Sequence, residues 1–379
     1  MRIVILGTAH PFRGGLAAYN ERLARELQKE GHIVMIFTFT VQYPGFLFPG
    51  KTQYTDAPSP SDLSVRRILN SVNPFNWVKT AREVSKYKPD IVLIKYWHPF
   101  MAPCLGTVAW LAKRNKKVKT IIISIFDNVI PHERKPGDNL LTKYFTGKID
   151  GAIVMSGSVA NDLRKFNLKA PVLYNPHPLY DNYGDLLSRE YALSKLGLPE
   201  DYYYLLFFGF IRAYKGLDLL LEAINYPHVR NLKIKLIVAG EFYEDRNPYD
   251  ELIRKHNLQG MIAMYDRYIS ENEVNLFFSA ADLVVQPYRN ATQSGVTQIA
   301  FHFEKPMLVT DVGGLSEIVP DKKCGFVVRP DPAEVADAIA DYFKNNRKPI
   351  FTEEVKKEKQ KYGWDKLTAT IYELYEKIK

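Results

Sequence analysis

Short runs of isoleucine, valine and leucine alternate along the chain with longer stretches whose apolar residues recur every three or four positions. The runs Arg2–Leu6, Ile33–Phe39, Ile91–Ile94, Lys119–Ile125 and Ala152–Val154 are too apolar for strands with one wet face, and they predict parallel strands covered on both sides. Between the first two lies Leu16–Glu30, where Leu16, Tyr19, Leu23 and Leu27 share one helical face. The pattern then restarts. Strands are predicted at Tyr203–Phe208, Lys233–Val238, Leu283–Gln286 and Pro306–Thr310, and helices at Lys215–Ala223, Pro248–Lys255 and Ser294–Phe303. Two strand–helix series in succession predict an α/β protein of two Rossmann-like parallel-sheet domains.

The first domain is expected to end where Pro, Asn, Tyr and Asp replace the strand pattern, over Asn175–Gly184, which gives domains at 1–184 and 185–360. From Glu353 to Lys379 the chain reads as helix, with Trp364, Leu367, Ile371, Leu374 and Tyr375 as an apolar stripe and 361–379 as the final element. Two stretches depart from the alternation. Tyr43–Ser64 holds Pro44, Pro49, Pro58 and Pro60 with the aromatics Tyr43, Phe46, Phe48 and Tyr54, a loop long enough to be functional or mobile. Val65–Tyr87 reads as an amphipathic segment carrying Arg66, Arg67, Lys79 and Arg82.

Composition narrows the class. With 379 residues, 46% hydrophobic and 25% charged, the chain is neither disordered nor collagenous nor a coiled coil. Two cysteines, Cys104 and Cys324, are too few for a disulfide framework and fit a reducing compartment. The apolar run ending at Leu6 is too short for a signal peptide, and no run approaches the ~18 apolar residues of a spanning helix. A cytoplasmic protein is expected. The 51 Lys and Arg exceed the 42 Asp and Glu by nine, which points to an anionic partner: nucleic acid, nucleotide or anionic lipid.

Three turns carry candidate chemistry. Gly7-Thr8-Ala9-His10-Pro11-Phe12-Arg13-Gly14-Gly15 joins the first strand to the first helix. It lacks both G-x-G-x-x-G and the Walker pattern, so a dinucleotide fold and a P-loop are disfavoured. What remains is Gly14 and Gly15 at a helix start, where backbone amides can approach an anion. The second turn, Gly209-Phe210-Ile211-Arg212-Ala213-Tyr214-Lys215-Gly216, brings two cations to the carboxyl edge of a sheet and to a helix N-terminus, a combination suited to a diphosphate. The third, Tyr288 to Val296, offers Thr292, Ser294 and Gly295 at another helix start. Asn290-Ala291-Thr292 also matches a glycosylation sequon, read here as chance.

Taken together, these pieces resemble glycosyltransferase family 4, the retaining enzymes of the GT-B fold. The resemblance is strongest in FFGFIRAYKGLDLLLEA, LIVAGEFYED, AADLVVQPYRNATQSGV and KPMLVTDVGGLSEIV, and the first half adds GGLAAYNERLARELQKEGH, DNVIPHE and PHPLY. It implies two Rossmann-like domains facing a central cleft, an N-terminal acceptor-side domain and a C-terminal donor domain, with the last helix crossing back to the first. It implies transfer of a sugar, with retention, from a UDP- or GDP-sugar to a hydroxyl of a glycan, glycolipid or lipid-linked sugar, without a metal or other cofactor.

Carried onto this chain, the resemblance implies that Gly14 and Gly15 face the donor phosphate and the reacting sugar. Arg212 and Lys215 grip the diphosphate beside Gly209, and Ser294 and Gly295 add amides to it. Tyr268 and Ile269 hold the base. Glu317 matches a recurrent family glutamate, and Asp127, His98 and His132 line the cleft near the sugar. Two departures stand out. The family's paired glutamates, eight residues apart, are replaced by Ala291 and Ile299, so an Ala-Thr-Gln-Ser-Gly-Val subgroup is expected in which Glu241 is a substitute for the ribose. Asp127 stands where relatives often have histidine, and it accepts rather than donates hydrogen bonds.

Three other readings compete. A GT-B epimerase would release free sugar and nucleotide without an acceptor. A phosphorylase would need a buried pyridoxal lysine, for which no motif speaks. A nucleic-acid-binding protein is suggested only by the basic run Lys113-Arg114-Asn115-Lys116-Lys117-Val118-Lys119, with no accompanying motif, and no nucleic-acid partner is expected. That run and Val65–Tyr87 instead suggest a face for an anionic membrane, with the enzyme peripheral on the inner side of the plasma membrane.

Overall fold

The computed structural model describes residues 1–45, 52–114, 119–131, 135–292 and 294–379. The chain divides into two compact units, Met1–Pro178 with Gly363–Lys379, and Leu179–Tyr362.

The first unit is a seven-stranded parallel sheet: β1 (Arg2–Leu6), β2 (Ile33–Val41), β3 (Val65–Asn70), β4 (Ile91–Tyr96), β5 (Ile121–Phe126), β6 (Gly151–Val154) and β7 (Val172–Tyr174). Its order is β3-β2-β1-β4-β5-β6-β7, so the chain works outward one way from β1 and the other way from β4. The helices are α1 (Gly15–Lys29), α2 (Pro74–Tyr87), α3 (Ala102–Lys113), α4 (Asp138–Thr146) and α5 (Gly157–Arg164). Strands β4, β5 and β6 are buried at every position, which is why they read as unbroken apolar runs.

The Val65–Tyr87 segment is not one amphipathic helix. Its first part is the edge strand β3, paired with β2, and Asn73 then opens α2 by accepting from the amides of Phe75 and Asn76 ahead of Pro74. Part of the Tyr43–Ser64 loop is tied to the first turn. The Arg13 amide donates to Gln53 O at 3.0 Å, the Thr55 amide to Pro11 O at 2.9 Å, and the Phe12 and Tyr54 rings lie 5.2 Å apart. Phe46, Phe48 and Pro49 lie outside the described residues, as do His132 and residues 115–118 of the basic run.

The second unit has six parallel strands: β8 (Tyr203–Phe208), β9 (Ile234–Ala239), β10 (Ile262–Tyr265), β11 (Leu283–Gln286), β12 (Met307–Thr310) and β13 (Gly325–Val328). Their order, β10-β9-β8-β11-β12-β13, reverses between β8 and β11. The helices are α6 (Arg189–Leu196), α7 (Leu217–Ile224), α8 (Pro227–Arg230), α9 (Asn247–Lys255), α10 (Val274–Ala280), α11 (Gly295–His302), α12 (Leu315–Ile318), α13 (Pro332–Lys344) and α14 (Lys348–Glu358).

The C-terminal stretch is two helices rather than one. After α14 a single tight turn, Lys359–Tyr362, leads to Gly363, and α15 (Trp364–Ile378) returns to the first unit. Trp364, Leu367, Ile371 and Leu374 are buried there, while Tyr375 is half-buried. Gly151 of β6 makes room for this helix, since a β-carbon on it would meet Ile378 at 2.7 Å and Leu374 at 3.0 Å. Burying Leu367, Ile371 and Leu374 contributes roughly 1.5–3 kcal/mol each, enough to fix the returning helix. No helix among the described residues is long and apolar enough to cross a membrane.

Candidate active site

In an open parallel sheet the loops on either side of the order reversal diverge and leave a crevice at the carboxyl ends of the strands. In the second unit those loops are Gly209–Gly216 after β8 and Pro287–Ser294 after β11, the two turns that carry candidate chemistry. Arg212 precedes a single tight turn, Ala213–Lys215, and Gly216 then opens α7 with a φ of 69°. A side chain at Gly216 would put its β-carbon 2.0 Å from the Pro287 carbonyl oxygen, so glycine lets the two loops touch.

The Arg212 loop is held from several sides. The Ala213 amide donates to Glu244 Oε2 at 2.6 Å, and Tyr249 donates to the same carboxylate. Arg289 pairs with Asp218 through two bonds of 2.7 Å, and its amide donates to Tyr214 O at 2.7 Å. Glu241 is buried at the end of β9, and its carbonyl accepts the Ile211 amide at 2.9 Å.

Lys215 turns its ammonium inward. A β-carbon at Gly209 would lie 3.2 Å from Lys215 Nζ, which also sits 5.7 Å from the Tyr288 ring centre. Burial, and then the charge of Arg212, push the Lys215 pKa down to about 8. A cation held this way gains by meeting an anion, because the partner repays the lost hydration.

Opposite, Ser294 occupies the N-cap position of α11, yet its side chain caps no amide of the helix. Its hydroxyl lies 3.4 Å from that of Tyr288. Burial raises the Tyr288 pKa, so the phenol stays a donor. The first turn of α11 is close to Gly209, where an added β-carbon would meet Val296 at 3.7 Å. Gly313, with φ 50°, lies beneath the Ala291 carbonyl, 1.5 Å from where its β-carbon would be, and so docks the start of α12 under this loop. Glu317, on α12, is exposed.

Tyr268 and Ile269 follow β10, and Ile269 is buried. The Phe210 ring lies 6.3 Å from Tyr268 at 26° and 4.3 Å from Tyr243, over which Arg212 Cζ sits at 5.3 Å. Gly209, Arg212, Lys215, Ser294 and Gly295 thus gather at one crevice, with Tyr268 joined to its side through Phe210. Phe210, Tyr243, Glu244, Tyr288 and Arg289 carry that geometry without having been singled out as site residues in the sequence. Their proximity depends on strands remote in the chain.

The first unit repeats the arrangement at its own reversal, between β1 and β4. Gly14, with φ 97°, begins α1 without a side-chain cap, and Gly15 is the first helical residue. The turn before it is held by the Asn20 amide, which donates to Thr8 O at 2.8 Å, and by Glu21, which accepts the His10 amide at 2.8 Å. Asp127 follows β5, and Lys95 Nζ reaches its Oδ1 at 2.8 Å. Lys95 is 2% exposed, and its ammonium lies 3.1 Å from the centre of the Tyr19 ring. The Tyr19 and His177 rings meet edge to face at 5.1 Å.

Burial, and then the Lys95 charge, hold the His177 pKa down at about 3, so this imidazole is neutral. The Lys95–Asp127 pair was not legible in the sequence, where Lys95 is one polar residue in a strand. His98 is committed to local structure, since its Nδ1 accepts the Phe100 amide at 3.1 Å as cap of the turn Pro99–Met101. His132 lies outside the described residues.

Comparison with known proteins covers both halves of the chain. Residues 13–179 match the family model described as Glycosyltransferase Family 4, and residues 188–362 the model described as Glycosyl transferases group 1. The chain is 23% identical to an uncharacterized glycosyltransferase of Methanocaldococcus jannaschii, over 100% of this chain and 99% of that one. It is 24% identical to a D-inositol 3-phosphate glycosyltransferase of Streptomyces scabiei, over 96% and 86% of the two chains. Among solved structures, sucrose-phosphate synthase from Thermosynechococcus elongatus superposes with a TM-score of 0.76 at 17% identity, covering 100% of this chain and 99% of that one. The Anabaena protein HepE in complex with UDP superposes at 0.73 and 14%, covering 98% and 99%. With both halves of the chain matched and both sheets of the expected kind, the protein is a nucleotide-sugar glycosyltransferase of the family 4 type with the GT-B fold.

Proposed function

We propose that the enzyme transfers a sugar, with retained anomeric configuration, from a UDP- or GDP-sugar to a hydroxyl of a glycan, glycolipid or lipid-linked sugar. The observation that carries this reading is the crevice between β8 and β11, where Arg212, the inward-turned Lys215 and the uncapped start of α11 converge. The donor diphosphate binds there. As the bond from the anomeric carbon to the phosphate oxygen breaks, its electron pair passes to the diphosphate, and Arg212 and Lys215 stabilise the growing charge. The acceptor oxygen bonds to the same carbon from the leaving-group side, and its proton goes to the departing phosphate oxygen. These two cations take the part a divalent metal plays elsewhere.

Tyr268 and Ile269 flank the base, Gly14 and Gly15 meet the phosphate and the sugar, and Asp127 accepts from a sugar hydroxyl. In the subgroup marked by Ala291 through Val296, Glu241 serves the ribose in place of the paired glutamates. The HepE complex with UDP-glucose supports a UDP-sugar donor. The basic surface of the first unit supports a lipid-linked acceptor at the inner face of an anionic membrane, with the enzyme peripheral to it.

The test is a panel of nucleotide sugars. One donor is expected to raise the melting temperature and to be consumed only when an acceptor is present. Release of free sugar and nucleotide at an equal rate without acceptor would contradict transfer.

A further inference from the structure

Helices α2, α3 and α4 lie side by side in the first unit, α2 against α3 and α3 against α4. Large apolar side chains stand out from them. Phe75, in the first turn of α2, is 89% exposed, and Leu140, in the first turn of α4, is 72% exposed. Trp110 of α3 and Tyr144 of α4 are exposed as well. Each of them forgoes burial that neighbouring positions in the same helices achieve, and the helices that carry them adjoin one another.

The charges say by what. Every exposed charged residue on these helices is a cation: Lys79, Arg82 and Lys86 on α2 and Lys143 on α4, with Arg114 directly after α3. The two acids of the three helices are withdrawn. Glu83 is engaged by Lys86 at 2.7 Å and by Arg66, and Asp138 accepts the Lys135 amide at 2.7 Å. The aromatic rings are themselves flanked by cations, with Arg114 Cζ 4.6 Å from the Trp110 ring centre and Lys148 Nζ 5.1 Å from that of Tyr144. The Tyr144 hydroxyl is fixed against Thr107 at 2.7 Å. Apolar tips, a Trp and a Tyr with a polar edge, and cations on flexible stems match the layered chemistry of a bilayer surface: acyl chains, interface, anionic headgroups. A nucleic-acid backbone would use the cations but leave Leu140 and Phe75 without a role.

We propose that the outer face of α2, α3 and α4 docks the enzyme on an anionic lipid bilayer. This deepens the membrane part of the reading above and names the surface that part requires.

The experiment is co-sedimentation of the full chain with vesicles of phosphatidylcholine alone or mixed with phosphatidylglycerol, at low and at physiological salt. Two variants are compared, Lys79→Glu/Arg82→Glu/Lys143→Glu and Phe75→Ser/Leu140→Ser. Melting temperature and UDP binding, expected to be unchanged, serve as controls for folding. The wild type is expected to pellet with the mixed vesicles and not with phosphatidylcholine. Each charge reversal is expected to lower partitioning by roughly fivefold or more at low salt. The serine pair is expected to lower it at both salt concentrations, because apolar insertion is not screened. Absence of wild-type binding to the mixed vesicles at low salt, or undiminished binding by both variants, overturns the proposal. Binding to an oligonucleotide but to neither vesicle, lost in the charge-reversal variant, overturns it in favour of nucleic acid. Failure of the wild type to bind either UDP or GDP would count against the transferase reading alone.

Discussion

Lys215 gives the site a pH dependence whose two consequences have opposite signs. Its pKa is held at about 8, below its ordinary value of 10.5, so the folded state binds this proton less tightly than the unfolded chain. Folding stability therefore gains from Lys215 as pH rises from about 8 to 10.5. Affinity for a nucleoside diphosphate is expected to fall over the same rise, because the cation that meets the phosphate is lost while the anion remains. Calorimetric titration in two buffers of different ionisation enthalpy checks this, with proton uptake on UDP binding expected above pH 8 and strongly reduced in Lys215→Arg.

Lys95 and Asp127 make a second test at the same scale. Lys95→Met removes the buried cation that faces the Asp127 carboxylate, and breaking a buried pair from one side costs about 3–5 kcal/mol, whereas removing both charges costs far less. Lys95→Met/Asp127→Leu is expected to regain most of the melting temperature lost in the single variant without regaining transfer activity. Recovery of both would reduce Asp127 to a structural residue. The sequence shows why this pair is hard to see: Lys95 belongs to β4 and Asp127 follows β5, and only the register that sets Lys95 beside Ile125 brings them together.

The elements were legible where burial is two-sided. Strands β4, β5 and β11 are covered on both faces, and an unbroken apolar run is the signature of that condition. The edge strands escape the same reading. β3 carries Arg66 and Arg67 toward solvent, and β7 is three residues long with no buried position. Their strand character comes from pairing with β2 and β6, not from their own pattern.

From the sequence the glycine-bearing turns read as places where backbone amides approach an anion; that Gly216 also lies against the Pro287 carbonyl depends on a strand remote in the chain and was not legible there. Gly216→Ala tests the contact with Pro287 directly. It forces a side chain into left-handed backbone and against a carbonyl, which is expected to cost about 2 kcal/mol or more. Melting temperature and UDP affinity are expected to fall together, since the same turn carries Lys215. A loss of stability with unchanged affinity would show that the turn is not part of the nucleotide site.

For the whole molecule, the net excess of nine positive charges goes with two local groups of cations. Arg212 and Lys215 gather at the strand reversal of the second unit, and the cations of α2, α3 and α4 lie on the outside of the first. The net charge of the chain indicated an anionic partner; the two proposals above assign the first pair to a diphosphate and the second group to a bilayer.

The measurement that bears most directly on the account is calorimetric titration of UDP and GDP into the wild type and into Arg212→Ala/Lys215→Ala, each shown by melting to be folded. A hydrogen bond to a charged group contributes roughly 1.5–3 kcal/mol, so the double variant is expected to lose at least ~100-fold in affinity for the preferred diphosphate and little for the corresponding nucleoside. Undiminished diphosphate binding in a folded double variant would contradict the assignment of the crevice between β8 and β11 as the donor site.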